Sequence, residues 1–247
     1  GALLAPLLAP GGTLSAATER SLLPPSLSSP LGTDLLGRDI LVRLVWGGRW
    51  TLGMAVVALA ITIGLGLPTG LVAGYLGGRV DSVIMRIVDA LLAFPGLLLA
   101  MAVVAILGNG AGSVAVAVGL ATAPAYARVA RSAAMDVRSQ PYVEAVRALG
   151  GGPARTLIRH VLPNTAAPLI AFAATQLGWV LLNSAALNFL GLGAPGGAPE
   201  WGSMLEAGRG YLRDAPWVSG FPGLALTLTV AAANVLGDRL QQALQRR

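Results

Sequence analysis

The chain contains no lysine and no cysteine; all 17 of its basic residues are arginine, and its one histidine is His160. Without lysine there is no Gly-Lys-Ser/Thr phosphate loop and no Schiff-base chemistry. Without cysteine, disulfides, thiolate nucleophiles and sulfur metal sites are excluded. A single histidine cannot build a multi-histidine metal centre. Charge is scarce as well. Only 11% of the 247 residues are charged, against about 25% in an ordinary soluble domain. No carboxylates cluster in one plane, which argues against a membrane enzyme. If the protein does energetic work, another protein hydrolyses the fuel.

What is present in abundance is apolar surface: 55% hydrophobic residues and a mean hydropathy of +0.70. A chain of this length cannot enclose so much in one core, so lipid must cover part of it. Five stretches are long enough, or nearly so, to cross a bilayer: 51–74, 87–107, 112–127, 168–190 and 217–236. The third is the shortest, and its Ala, Gly and Val suit close packing against other helices more than contact with lipid. A short apolar piece, 2–10, reads as the end of a further helix. No long-period repeat is found, which weakens the reading of a self-contained secondary transporter built from two related halves.

Arginine counts orient the spans. One side carries six arginines and six acids, the other eleven arginines and five acids. The whole net charge of +6 therefore falls on one face, expected to be cytoplasmic together with the C-terminus. Because the arginines are scattered among apolar runs, topology explains them better than nucleic acid does. The expected organisation is an outward segment 1–50, a membrane domain 51–239 containing an inner loop 138–164, and a tail 240–247. Residues 35–46 read as an amphipathic helix lying at the interface, with turn and N-cap chemistry from Gly32-Thr33-Asp34 and Gly37-Arg38-Asp39. A short helix is expected near 203–212.

The inner loop reads as two short helices. The first begins at Pro141, a good first-turn residue, and stops at Gly150 in the C′ position. The second covers 154–162 and is expected to end at Pro163-Asn164. Neither is long enough to be stable alone. Taken by itself, Glu144 is a solvated surface charge, and His160 packs or caps.

Glu144-Ala145-Val146, Gly150 and Val161-Leu162-Pro163 resemble the "EAA" loop of ABC importer permeases, with Val146 where the second alanine usually stands. Further stretches resemble the dipeptide/oligopeptide/nickel branch, in particular its second permease subunit: Gly32-Thr33-Asp34 with Gly37-Arg38-Asp39, Ala73-Gly74-Tyr75, Ala93-Phe94-Pro95, Asn188-Phe189-Leu190-Gly191 and Trp201-Gly202-Ser203-Met204. The resemblance implies an all-α integral membrane protein of the type I ABC importer permease fold, with five clear transmembrane helices here plus the remnant of an N-terminal sixth. It implies a multi-pass subunit of the cytoplasmic (inner) membrane that moves di- or oligopeptides, or in the same family nickel, glutathione or another small solute. It implies no cofactor in this chain, with ATP and Mg held by two cytoplasmic ABC ATPases. Other implied partners are a homologous permease subunit, an extracytoplasmic substrate-binding protein, the peptide and membrane lipid. The ATPase-coupling residues so implied are Tyr142, Glu144, Ala145, Arg147, Ala148, Gly150 and Arg155. Arg147, Arg155 and Arg159 equally suit anionic lipid.

Three further groups stand out. Arg86 and Asp89, three apart at a helix mouth, read as an ion pair, and Pro95 as a kink. Gln176, Asn183, Ser184 and Asn188 either line a polar translocation path or make interhelical hydrogen bonds. Glu200, Trp201, Glu206 and Arg209 on the outer loop are, by family analogy, contacts for a binding protein.

Overall fold

In a computed structural model the described residues are 18–193 and 198–245, so the stretch 2–10 lies outside them. The main elements are α1 (Ile40–Leu76), α2 (Gly78–Leu92), α3 (Gly96–Leu107), α4 (Ala111–Arg138), α5 (Pro141–Ala148), α6 (Pro153–Phe189), α7 (Trp201–Gly208) and α8 (Trp217–Gln245). Four of them, α1, α4, α6 and α8, are long and apolar enough to cross a membrane, and the α2–α3 pair supplies a fifth span if it is counted as one.

The expected interfacial helix at 35–46 is not a separate element. Leu35 and Leu36 sit in turns folded around Asp34, whose Oδ1 accepts from the Leu36 and Arg38 amides at 2.9 Å each. Helix starts only after Asp39, which caps α1 by accepting from the Val42 amide at 3.2 Å. Gly47-Gly48 does not interrupt it, and α1 runs on into the first span.

α1 packs along α4 as the spine of the bundle. In lipid the hydrophobic effect does not drive helices together, and close backbone approach does that work instead. Gly66, Gly70 and Gly74 present one bare face of α1 to Ala123, Ala127, Ala130 and Ala134 of α4. A Cβ on Gly66 would lie 2.7 Å from the Ala123 carbonyl oxygen, and one on Gly70 would overlap that of Ala127. A buried Thr62–Thr122 hydroxyl pair at 2.5 Å joins the same two helices. As expected from its composition, α4 is turned mostly inward, with 61% of its most apolar window buried. It does not stop near 127 but carries Arg128 and Arg131 beyond the apolar stretch.

Pro95 does more than kink its span. α2 and α3 meet at 90°, because a residue preceding proline is pushed out of the helical region; Pro95 itself is extended (φ −55°, ψ 124°). The Arg86–Asp89 pair is not formed. Since α4 continues past 127, its arginines lie under α2 and take both acids: Arg128 reaches Asp89 at 2.5 Å, and Arg131 holds Asp81 in a two-pronged contact of 2.5 and 2.6 Å.

Pro163 does not end a helix either. A π turn at Leu157–Val161 precedes it, and the Leu162 amide bonds back to Leu157 O. Widening the turn relieves the proline clash with the preceding turn. Side chains add local bonds around the break: Asn164 Nδ2 donates to His160 O at 2.6 Å and Thr165 Oγ1 to Leu162 O at 2.9 Å.

Candidate functional site

The inner loop hangs at one end of the bundle. α5 has proline in its first turn, and Gly150 takes φ +84° just past its end, as the sequence requires. Val143 is its one buried residue. Arg147 turns back over the ring of Tyr75, 4.8 Å from its centroid, near the last turn of α1. Tyr75 and Val161 belong to one small apolar cluster with Leu71 and Ala134. The loop is thus tied to α1, α4 and the start of α6. Tyr142, Glu144, Ala145, Ala148, Gly150 and Arg155 all face outward. Apolar side chains share that surface, with Leu149 89% and Ile158 62% exposed. Arg147, grouped by sequence with the outward set, is instead half-buried and serves as a tether.

The residues proposed for a translocation path divide into two sets. Gln176 and Asn183 line a cavity of about 520 Å³ beside the α2–α3 break, with Trp179 between them. Ser184 and Asn188 are buried inside the bundle, Asn188 Nδ2 donating to Ser184 O at 2.9 Å. These two do not face the cavity.

The outer-loop residues divide as well. Glu200 and Trp201 are only 3% and 7% exposed, so they cannot meet a soluble protein while the fold is intact. This corrects their assignment as surface contacts. Glu200 caps α7, its Oε2 accepting from the Ser203 amide at 2.9 Å and its Oε1 from Thr51 Oγ1 at 3.0 Å. Burial pushes the Glu200 carboxyl above its ordinary range, opposed by hydrogen bonds from the Gly202 and Ser203 amides and from Thr51. Trp201 Nε1 donates to Leu44 O at 2.8 Å. The capping role was legible in the sequence, since an acid three residues ahead of Ser203 at a helix start is a capping pattern; the burial was not. Glu206 and Arg209 do face outward, 3.8 Å apart.

Comparison with known proteins decides among the readings. Residues 66–247 match the family described as binding-protein-dependent transport system inner membrane component. The glutathione transport system permease protein GsiD of Pectobacterium atrosepticum is 43% identical over 220 residues, 89% of this chain and 73% of that protein. The dipeptide transport system permease protein DppC of Alkalihalophilus pseudofirmus is 40% identical over 243 residues, 98% of this chain and 80% of that one. The chain belongs to this family of importer permeases. Its fold agrees: the MetNI methionine ABC transporter in an inward-facing conformation superposes with a TM-score of 0.71 at 22% identity, covering 83% of this chain and 97% of that one. The permease is therefore a type I ABC importer membrane subunit of the inner membrane.

Three features of this permease escaped the sequence reading. Tyr75 stood in a family-like string but without a role, because a cation–π partner 72 positions away leaves no local pattern. Asp81 and Arg131 were counted only as topology charges. Trp179 was legible, being three residues from Gln176 and four from Asn183 on one helical face.

Proposed function

We propose that this permease forms half of the pathway of an ATP-driven importer of short peptides, di- and tripeptides including glutathione, and that its inner loop 138–164 receives the stroke of a cytoplasmic ATPase. The observation that carries the reading is the suspension of α5. It lies outside the bundle with Tyr142 and Glu144 facing outward beside the exposed Leu149 and Ile158, yet it is tied to the end of α1 through Arg147 and Tyr75. It also leads within four residues into α6. A push on α5 is delivered to two long helices at once.

In this reading a homologous permease supplies the other half of the pathway. Two ATPases hold ATP and Mg, and the permease breaks no bond itself. Glu206 and Arg209 are the outer-loop groups available to a substrate-binding protein. The loop and the C-terminus lie in the cytoplasm. ATP acts by favouring one conformation of the assembly over the other, since a ligand shifts an equilibrium only by its differential affinity. The substrate class follows the names of two relatives, glutathione and dipeptide transport permeases.

The test is ATP-dependent uptake by the whole importer in proteoliposomes, with a labelled dipeptide, glutathione and nickel offered in parallel. The peptides are expected to enter and nickel to be left outside. Glu144→Lys is expected to assemble normally while uptake falls at least ten-fold. Uptake without nucleotide, or unimpaired transport by the assembled Glu144→Lys importer, would defeat the reading.

A further inference from the structure

The cavity beside the α2–α3 break has an unusual lining for a membrane-embedded surface. Phe94 and Pro95 form one wall, Thr122 lies behind, and Gln176, Trp179 and Asn183 form the wall on α6. No acidic or basic side chain lines it among the described residues. Thr122 is already engaged, donating to Val118 O at 2.8 Å and paired with Thr62. The α6 amides are far less engaged. Asn183 Nδ2 donates to Trp179 O at 2.8 Å, and Gln176 makes no hydrogen bond to a described residue. Trp179 is 58% exposed. Amide groups turned toward hydrocarbon without partners are strongly disfavoured. This face therefore meets water or a polar ligand, not lipid tails.

The spacing indicates which ligand. Gln176 and Asn183 are seven residues apart on one face, about 10.5 Å along the helix axis. Three residues of extended chain cover about 10 Å. Two amides so placed reach main-chain groups at the two ends of an extended tripeptide, with the exposed Trp179 between them. A neutral amide both donates and accepts, as a peptide group requires. The cavity volume lies within the range of small-molecule sites. With no charge in the lining, the wall has nothing with which to sort substrates by the charge of their side chains.

We propose that the Gln176–Trp179–Asn183 face of α6 binds the main chain of an extended di- or tripeptide during its passage, reading peptide groups and ignoring side-chain charge. This rests on the importer reading above and adds the ligand contact to it.

The test uses the complete importer in proteoliposomes, with its partner subunits and binding protein. Because this chain has no cysteine, Gln176→Cys and Asn183→Cys each place a single thiol in it. A hydrophilic methanethiosulfonate reagent is expected to label both, and trialanine under turnover with ATP is expected to slow labelling several-fold. Ile170→Cys, on an exposed apolar flank of the same helix, is expected to stay unlabelled. Gln176→Leu and Asn183→Leu are expected to lower the maximal uptake rate roughly two- to ten-fold each, the range of a lost neutral hydrogen bond. That loss is expected to be equal for trialanine, trilysine and triglutamate. Wild-type importer that carries trialanine while both thiols remain unlabelled, or are labelled at a rate the peptide does not change, overturns the proposal and leaves the importer reading standing. Charge-dependent losses in the leucine variants overturn it too. A wild-type complex without ATP-dependent uptake removes the importer reading itself, and the proposal with it.

Discussion

Single residues in this permease matter most where backbone meets backbone or where a polar group is buried. Gly70 is the first case. A methyl group there would overlap the Ala127 carbonyl oxygen and come within 2.7 Å of the Ala130 Cβ. Neither is a flexible side-chain end, so α1 and α4 would have to part. Gly70→Ala is expected to destabilise by about 1–3 kcal/mol, the usual cost of overpacking, and to lower the melting temperature in mild detergent. Gly53→Ala on the same helix meets nothing within 4 Å and is expected to melt like the wild type. Equal behaviour of the two variants would contradict the account of the α1–α4 seam. Glu200 is the second case. Its folded carboxyl titrates above the ordinary value of 4.5, so the folded state binds its proton more tightly than the unfolded chain. The stabilisation from that proton is fully present below 4.5 and is lost as pH rises through the raised value. The melting temperature should therefore rise as the pH falls from neutral toward 4.5, and Glu200→Gln should flatten that part of the curve. An unchanged slope in the variant would show that Glu200 is not the titrating group.

At the scale of elements, the ion pairs under α2 can be ranked by exposure. The Asp81–Arg131 side chains are 16% and 30% exposed and make two contacts, whereas Asp89 and Arg128 are both 57% exposed and make one. Exposed pairs contribute at most about 1 kcal/mol, so the first pair should be the one that holds α2 to α4. Asp81→Arg is expected to increase hydrogen exchange across Gly78–Leu92, and Asp81→Arg with Arg131→Asp to restore most of the protection, while Asp89→Asn changes little. A larger effect at Asp89 would reverse the ranking. These pairs also mark the limit of what the sequence discloses. The spans, the inward-facing character of α4, the proline at the start of α5 and Gly150 past its end were all readable, because hydropathy, small-residue content and turn chemistry are local. Whether Asp89 turns to Arg86 or to Arg128 depends on how far α4 extends, which only packing decides. Pro163 misled for a related reason. The rule that proline ends a helix assumes a regular α turn before it, and the buried Val161 is held in its cluster by a π turn instead. The capping pattern at Glu200 was likewise local and readable, but nothing local shows that Thr51, 149 positions away, closes over it.

At the scale of the whole molecule, charge and shape make one joint claim about orientation. Among the described residues, one end of the bundle carries nine arginines against five acids, the other six of each. Arginine retained on the cytoplasmic side sets the orientation of short-looped membrane proteins. The same face bears α5 with Leu149 89% exposed, and the opposite face bears Leu212 at 57%. Two unlike features, a charge excess and a suspended helix with uncovered apolar side chains, thus coincide at one end, where a cytoplasmic ATPase would need both. Leu149→Cys and Leu212→Cys can be introduced one at a time into this cysteine-free chain. A membrane-impermeant maleimide is expected to label Leu212→Cys in intact spheroplasts and Leu149→Cys only in inverted vesicles. Adding the ATPase subunits to those vesicles should then protect the thiol at 149, because the docked surface covers it, and leave accessible an Arg239→Cys thiol farther along the same face. Labelling of position 149 from outside would invert the topology and remove the proposed route of nucleotide energy to α1 and α6.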